Sequence, residues 1–172
     1  MNSTRKLAVA ATTLGAGIAG LALATPIVGL VFATILSTGS TDREINAHAQ
    51  VAIPATATTS AVDFEAQLET EGPSTFISQD VSYMPGGHTG WHSHPGILLI
   101  SVTEGSLEWY DANCKRHVYN SGDSFTENAQ LHYVRNVGDV NNRLMVTYVL
   151  AKGQPRRIDR PAPTCAAALG LD

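Results

Sequence analysis

Short apolar runs separated by turn residues fill the chain from residue 63 to residue 153. The run at 75–84 alternates between apolar and polar residues and ends at a Pro-Gly-Gly turn. The β-branched run at 97–103 is followed by Glu104-Gly105, which is typical of a hairpin with Gly in its turn. No segment after residue 62 shows sustained helical periodicity, so the pattern predicts an all-β sandwich or barrel. The further strand-like runs are 106–110, 116–119, 124–126, 131–137 and 143–151.

The segment from residue 7 to residue 41 contains no charged residue. A membrane-spanning helix needs roughly 20 apolar residues, and residues 7–36 exceed that length. Arg5 and Lys6 stand just before the segment. This basic pair predicts an N-terminus in the cytoplasm and export of everything after residue 41.

The apolar segment is interpreted as an uncleaved signal anchor, with a cleaved signal peptide as the open alternative. A signal peptide has a shorter apolar core, about 7–15 residues, that ends at small residues. Ala22-Leu23-Ala24 offers such a site, but it leaves an apolar stub at 27–36, and Ala47-His48-Ala49 lies far from the apolar core. A buried helix of a soluble protein is disfavoured because the segment has no polar face.

The chain therefore divides into four predicted parts. Residues 1–41 are the signal anchor or signal peptide, and residues 42–62, rich in Ala, Thr and Ser, are a linker or stalk. Residues 63–153 form the β domain. Residues 154–172 form a C-terminal tail that contains several prolines and is expected to be irregular. The predicted location is the cell membrane with an extracytoplasmic domain, or secretion if the N-terminal segment is cleaved.

Cys114 and Cys165 are the two cysteines of the chain, and both lie in the region predicted to be exported. Two cysteines in an oxidising compartment usually pair. A bridge between them would close a loop of about fifty residues, worth roughly 4 kcal/mol in the chain-entropy model, and would staple the tail to the domain. Unpaired buried thiols are the alternative. A cysteine-based metal site is disfavoured because only His117 lies near either cysteine.

The net charge of −4 and the absence of a basic cluster argue against nucleic acid as a partner. Arg156, Arg157 and Arg160 form a small basic group in the tail. This group is interpreted as a solvated patch.

Histidines mark the ends of the predicted strands. His92 and His94 are two residues apart, and side chains at that spacing on a strand point to the same face. Imidazole is the commonest metal ligand. His132 begins another strand, 131–137, and is expected to face the first pair across the interior.

The sequence around this pair resembles the first conserved motif of the cupin superfamily, which carries a Gly, a His-x-His, a Glu and a second Gly in that order. Gly86, His92, His94 and Gly105 match it. The resemblance implies a jelly-roll β-barrel, preceded here by the N-terminal transmembrane or signal helix and the linker.

The second cupin motif, a Pro-x-Gly followed by a His and an Asn, is matched in its second half. His132 and Asn136 fit that half, whereas Glu127 and Ala129 stand where Pro and Gly would be. The resemblance covers residues 76–150 approximately. It also implies a homodimer, a state that cupins often adopt.

One departure from the family pattern changes the expected chemistry. Where the family places its metal-binding glutamate, this chain has Leu98 or Leu99. The resemblance therefore implies three histidine ligands and no acid, holding a divalent transition metal such as Fe, Mn, Zn or Ni. Three neutral ligands leave the ion its full charge and open positions for water, oxygen or a chelating substrate.

Additional ligands are considered at two positions. Gln130 has the same strand parity as His132, so its amide oxygen would ligate the ion or hold a bound water. The alternative is a glutamine that only fills the barrel mouth. His88 is a second candidate, although a turn separates it from His92. The expected pocket residues are Tyr83, Trp91, Leu98 and Asn136, and the acids expected to be solvated are Glu104, Glu108 and Glu127.

Two classes of function follow from such a site. A metal-dependent enzyme would use iron for dioxygenase chemistry, or Mn, Zn or Ni as a Lewis acid on a small polar molecule. A non-catalytic module at the cell surface would bind a metal or a small ligand without turnover. A barrel kept only for structure or interaction, with an empty site, is a third interpretation.

Overall fold

The computed structural model describes residues 31–171, which contain twelve β-strands and one short 3₁₀ helix, so the all-β prediction is confirmed. The first six strands are β1 (Val31–Thr41), β2 (Ile45–Ile53), β3 (Val62–Thr70), β4 (Ser74–Tyr83), β5 (His92–Ser93) and β6 (Gly96–Glu104). The other six are β7 (Ser106–Asp111), β8 (Arg116–Asn120), β9 (Ser124–Glu127), β10 (His132–Arg135), β11 (Asn142–Ala151) and β12 (Ile158–Asp159), and the 3₁₀ helix is Ala167–Leu169.

Ten of these strands form two five-stranded antiparallel sheets. The order in the first sheet is β1-β4-β11-β6-β9, and the order in the second is β12-β5-β10-β7-β8. One buried cluster takes its side chains from both sheets, so the two sheets pack face to face as in a jelly roll. Its members are Ile77, Val81, Tyr83, Leu98, Ile100, Val102, Leu107, Val134, Leu144, Val146, Tyr148 and Leu150.

The β2–β3 hairpin occupies much of the segment predicted to be a linker, residues 42–62. These two strands pair along their whole length, from Ile45 opposite Thr70 to Ile53 opposite Val62, and form a sheet of their own. Apolar residues recur at every second position of both strands, which is a strand pattern. Backbone pairing satisfies the N–H and C=O groups that face the partner strand, and the groups on the two outer edges are left to water.

The N-terminal strand β1 overlaps the apolar segment predicted to cross the membrane. It pairs with β4 from Val31 opposite Tyr83 to Thr41 opposite Ser74. The rest of the predicted anchor or signal peptide, residues 1–30, lies outside the described part of the chain. Among residues 31–171, no helix has the length and apolar character needed to span a membrane.

The C-terminal tail is ordered by three kinds of contact with the second sheet. β12 pairs with β5, and the Trp91 indole N–H donates a 2.6 Å hydrogen bond to the Leu171 carbonyl. Cys114 and Cys165 form a disulfide, which confirms the predicted pairing. A second buried cluster covers the outer face of this sheet, formed by Trp91, Tyr110, Tyr133, Ala166 and Leu171.

We predict that Gly96→Ala destabilises the fold, because Gly96 lies where β6 meets β11. A Cβ at this position would stand 2.2 Å from the Val149 carbonyl oxygen and 2.8 Å from Leu150 Cδ2. Overpacking of this kind costs about 1–3 kcal/mol or more. Gly39→Ala on β1 is the matched control, because a Cβ there meets nothing within 4 Å. Urea unfolding measures both variants, and equal midpoints would contradict the expectation.

Candidate metal centre

Strand pairing brings the three predicted histidines together. His92 on β5 pairs directly with His132 on β10, and their ring centroids lie 4.2 Å apart. The His94 ring follows β5 and lies 4.9 Å from the His92 ring and 5.1 Å from the His132 ring. All three side chains are buried. The two strands therefore place three imidazoles around one point in the interior.

A carboxylate completes this cluster, and the sequence analysis expected it to be solvated. Glu127 ends β9, is only 6% exposed, and offers an oxygen that lies with one nitrogen of each histidine inside a group spanning 4.8 Å. Its backbone pairs with Leu98 on β6. The acid thus lies on the neighbouring strand, opposite the position where the cupin motif places it. The available signal was strand parity, because Phe125, two residues earlier, packs against the core.

Each of the three imidazoles is held by a backbone carbonyl on its Nδ1 side. His92 Nδ1 lies 3.0 Å from the Gly90 carbonyl, His94 Nδ1 lies 2.6 Å from that of Arg156, and His132 Nδ1 lies 2.8 Å from that of Gln130. A carbonyl only accepts, so each Nδ1 carries a proton, and each ring turns its Nε2 inward, where the neutral form would offer a lone pair to a cation. Ligand histidines in metalloproteins are oriented in this way.

The inward nitrogens have no proton-donating partner within residues 31–171. His94 Nε2 and His132 Nε2 are buried and make no hydrogen bond, although Glu127 Oε2 lies 3.2 and 3.3 Å from them. Two ligand atoms that bind one zinc-sized ion at ~2.0–2.2 Å stand roughly 2.8–3.6 Å apart, depending on the coordination angle. The spacing and the orphaned lone pairs therefore fit a divalent cation.

The protonation states of the cluster also suit metal binding, which requires neutral imidazoles and a carboxylate. Burial and, to a smaller extent, the neighbouring His132 together lower the pKa of His92 to about 3. Burial raises the pKa of Glu127, whereas its close contacts with His132 and His94 lower it, and the net direction is downward. At neutral pH the site holds a neutral His92 and an ionised Glu127.

A cavity of about 230 Å³ opens onto this cluster. Tyr83 and Leu98 line it, as the sequence analysis expected. Arg156 and Arg157 also line it, although they were interpreted as part of a solvated patch. Their position follows from β12, which pairs with β5 and carries the preceding residues to the cavity. The other polar side chains on the wall are Gln79, Thr89 and Tyr148.

Two of the expected pocket residues have structural roles elsewhere. Trp91 packs on the outer face of the second sheet, in the cluster that the tail covers. The Asn136 amide donates to the carbonyls of Tyr83 and Val140 and accepts from the Gly138 N–H. It therefore fixes the loop after β10 and does not line the cavity.

The two additional ligand candidates also lie apart from the cluster. Gln130 is exposed, and only its backbone carbonyl reaches His132. His88 stacks on Tyr133 with ring centroids 5.3 Å apart, and its Nδ1 accepts from the Gly90 N–H. The intervening turns change the side-chain direction that simple parity suggested for both residues.

Glu108 is a second buried acid that was expected to be solvated. It is 6% exposed and lies on the outer face of β7. Arg116 and Arg135 pair with it, and the Tyr110 hydroxyl donates a 2.6 Å hydrogen bond to it. Burial raises the pKa of Glu108, but these donors outweigh burial and lower it overall. Glu104 is exposed, as expected.

One family model matches a part of this domain. Residues 79–148 match the family model described as a cupin domain. No curated protein matches the chain.

Solved structures that resemble the chain do so at low identity. A cupin-like protein from Thermotoga maritima aligns with a TM-score of 0.44 at 19% identity over 51% of this chain and 65% of that chain. The polyketide cyclase RemF from Streptomyces resistomycificus gives 0.44 at 18% over 54% and 68%, respectively. The DMSP lyase DddQ from Ruegeria pomeroyi gives 0.45 at 15% over 51% and 44%.

The pKa of His92 predicts how acid affects the metal-free protein. Stability should fall as the pH is lowered from 6.5 toward about 3, because the unfolded chain takes up a proton that the folded ring does not. One histidine contributes at most about 1.4 kcal/mol per pH unit. Denaturant unfolding of the full-length protein in EDTA measures the slope, and His92→Gln should flatten it.

The comparison is confined to pH values above 4.5, the ordinary pKa of a glutamate. Below that value, the lowered pKa of Glu127 adds a slope of the same sign. An identical slope for the original protein and the His92 variant would contradict the prediction.

Proposed function

We propose that this chain, whose residues 79–148 match the cupin domain, is an exported, metal-dependent enzyme that acts on a small polar molecule. The observation that carries the proposal is the convergence of His92, His94, His132 and Glu127 on one point in the interior. Each ring is fixed by a carbonyl on its far nitrogen, which leaves the near nitrogen as a lone-pair donor. A cation would give these buried nitrogens the partner that they lack within the described part of the chain.

A divalent ion held by these residues would polarise a carbonyl or enolate oxygen. If the ion were iron, it would supply oxygen chemistry for a chelating substrate. Imidazole ligands suit Fe, Ni and Zn, and carboxylates suit Mn, so the mixed set agrees with the metals considered from the sequence. Glu127 offsets one of the two positive charges of such an ion.

The residues that line the cavity determine which hydrogen bonds a substrate would make there and how far water is excluded. Burial raises the pKa of Tyr148 to about 12 and also raises that of Tyr83. Both hydroxyls therefore stay protonated and are available as hydrogen-bond donors to substrate oxygens. Leu98, Ile100 and Val146 form an apolar wall that excludes bulk water from the same space.

Export is supported by the disulfide, since such bonds persist mainly in oxidising compartments. The uncharged residues before β1, numbers 7–30, still exceed the roughly 20 apolar residues that a membrane span needs. We place the domain outside the cytoplasm, on an anchor or free after cleavage. The homodimer implied by the family resemblance stays a prediction.

A non-catalytic binding module is the second candidate, and one observation favours it. Among the described residues, Glu127 is the one carboxylate that lines the cavity. If it ligates the metal, no separate carboxylate is left to act as a base. A module that captures a metal or a small ligand needs no such base.

Elemental analysis of the purified full-length protein tests the metal centre. We expect one transition-metal ion per chain after reconstitution. His132→Ala should abolish binding, and Glu127→Gln should weaken it by at least about tenfold, since even an indirect partner of a ligand is worth about 10–100-fold. His88→Ala is the matched control because this ring lies outside the cluster. An original protein without metal, or a His132 variant that binds it fully, would overturn the proposal.

Turnover separates the two candidate functions. If the enzyme proposal holds, the iron-loaded protein should consume oxygen with small thiols or 1,3-diketones, or the Mn, Zn or Ni form should convert small carbonyl compounds. The His92→Ala, His94→Ala double variant should lose this activity together with its metal. Stoichiometric metal with no turnover across the panel would favour the binding module.

A further inference from the structure

Arg156 presents an unpaired positive charge to the cavity. Its side chain lines the cavity and makes no ion pair or hydrogen bond within residues 31–171. By contrast, Arg157 pairs with Asp159 and donates to the Thr89 carbonyl. The Arg156 backbone is fixed, because its carbonyl holds His94 Nδ1 at 2.6 Å. The same residue therefore supplies both the carbonyl that orients His94 and the guanidinium at the cavity.

Other polar groups on the cavity wall also have no partner in the described chain. Gln79 is 5% exposed, alternates inward on β4 with Ile77 and Val81, and its amide makes no hydrogen bond within residues 31–171. The hydroxyls of Tyr83 and Tyr148 also make none there. None of these atoms is among the fully buried unpaired ones, so the amide and the two hydroxyls keep access to the cavity and are free to bind the oxygen atoms of a ligand.

The net charge around the cavity is positive when the proposed divalent ion is included. The three imidazoles are neutral and Glu127 contributes one negative charge, so the metal centre keeps a net positive charge. Arg156 adds a second, whereas the charge of Arg157 is offset by Asp159. A neutral ligand would leave the charge of the buried metal centre without a counter-charge, and the half-buried Arg156 guanidinium would keep only water as its partner.

We propose that the site takes a small organic anion, whose carboxylate pairs with Arg156 at the cavity mouth while a second oxygen of the same molecule reaches the metal. This inference rests on the metal centre proposed above. The guanidinium suits the anion because its planar fork binds a carboxylate through two parallel hydrogen bonds. At about 230 Å³ the cavity is smaller than the roughly 300–1,000 Å³ of sites for drug-sized ligands, so the anion is a small metabolite.

The test uses the full-length protein loaded with Co²⁺, whose visible absorption reports changes in coordination. Lactate and malonate are titrated beside their uncharged counterparts, lactamide and malonamide. We expect at least one carboxylate to change the spectrum and to bind at least about tenfold more tightly than its amide. Arg156→Gln should remove this preference by weakening the carboxylate alone. Arg156→Lys, which keeps the charge, should retain part of it.

Arg43→Gln is the charge-matched control, since Arg43 is exposed between β1 and β2 and does not line the cavity. It should bind every probe as the original protein does. The inference is overturned if neither carboxylate binds more tightly than its amide, or if Arg156→Gln leaves carboxylate affinity within about twofold.

Cobalt content, measured on each sample before titration, separates this failure from failure of the metal centre. A fully loaded protein that shows no anion preference refutes the anion alone. A protein that takes up no cobalt refutes the metal centre, and the anion inference fails with it.

Discussion

The candidate site depends on a strand of only two residues, β5, held on both sides by longer parts of the chain. On one side, His92 pairs with His132 of β10, and on the other it pairs with Asp159 of β12. The carbonyl of Arg156, just before β12, then fixes the ring of His94. Without the C-terminal tail, β5 would lose one neighbour and His94 its orienting acceptor. The tail, tied down by the disulfide and by Trp91, is therefore part of the site's framework.

The acid of the cluster shows how a sheet can supply the same group from a different strand. Leu98 and Glu127 face each other on β6 and β9, and both side chains reach the cavity. Opposed residues in an antiparallel pair lie within about 5.5 Å of each other. A carboxylate moved across the ladder therefore stays within reach of the same point. The cluster therefore offers three imidazoles and one carboxylate, whereas the sequence predicted three neutral ligands alone.

Most strands of the two five-stranded sheets could be predicted from the sequence, because their residues alternate and clear turn residues separate them. All seven strands predicted after residue 63 are present, within a few residues at each end. The pairing of Cys114 with Cys165 was also predictable, because the chain has two cysteines and both lie in the region predicted to be exported. The β2–β3 hairpin was missed although its apolar residues alternate, because three of the alternating positions are alanines, which have little preference for strands.

The site was less predictable than the strands, since it depends on contacts between distant segments. Arg156 had no local signature that distinguishes a cavity residue from a solvated one, and Glu127 had only its strand parity with Phe125. Their positions follow from the pairing of β9 with β6 and of β12 with β5. Gln130 and His88 were considered as ligands but lie apart from the cluster, because strand parity does not continue through a turn.

The edge strand β1 restricts where the chain can be trimmed without damage. It covers one side of β4 through a long antiparallel ladder, and its residues Val31 and Ala33 line the cavity. Proteolysis at Ala47-His48-Ala49 would detach β1, leave the edge of β4 bare as a template for another polypeptide, and open the cavity sideways. Proteolysis at Ala22-Leu23-Ala24 would leave that wall whole. The architecture thus favours the earlier junction for any maturation that preserves a working cavity.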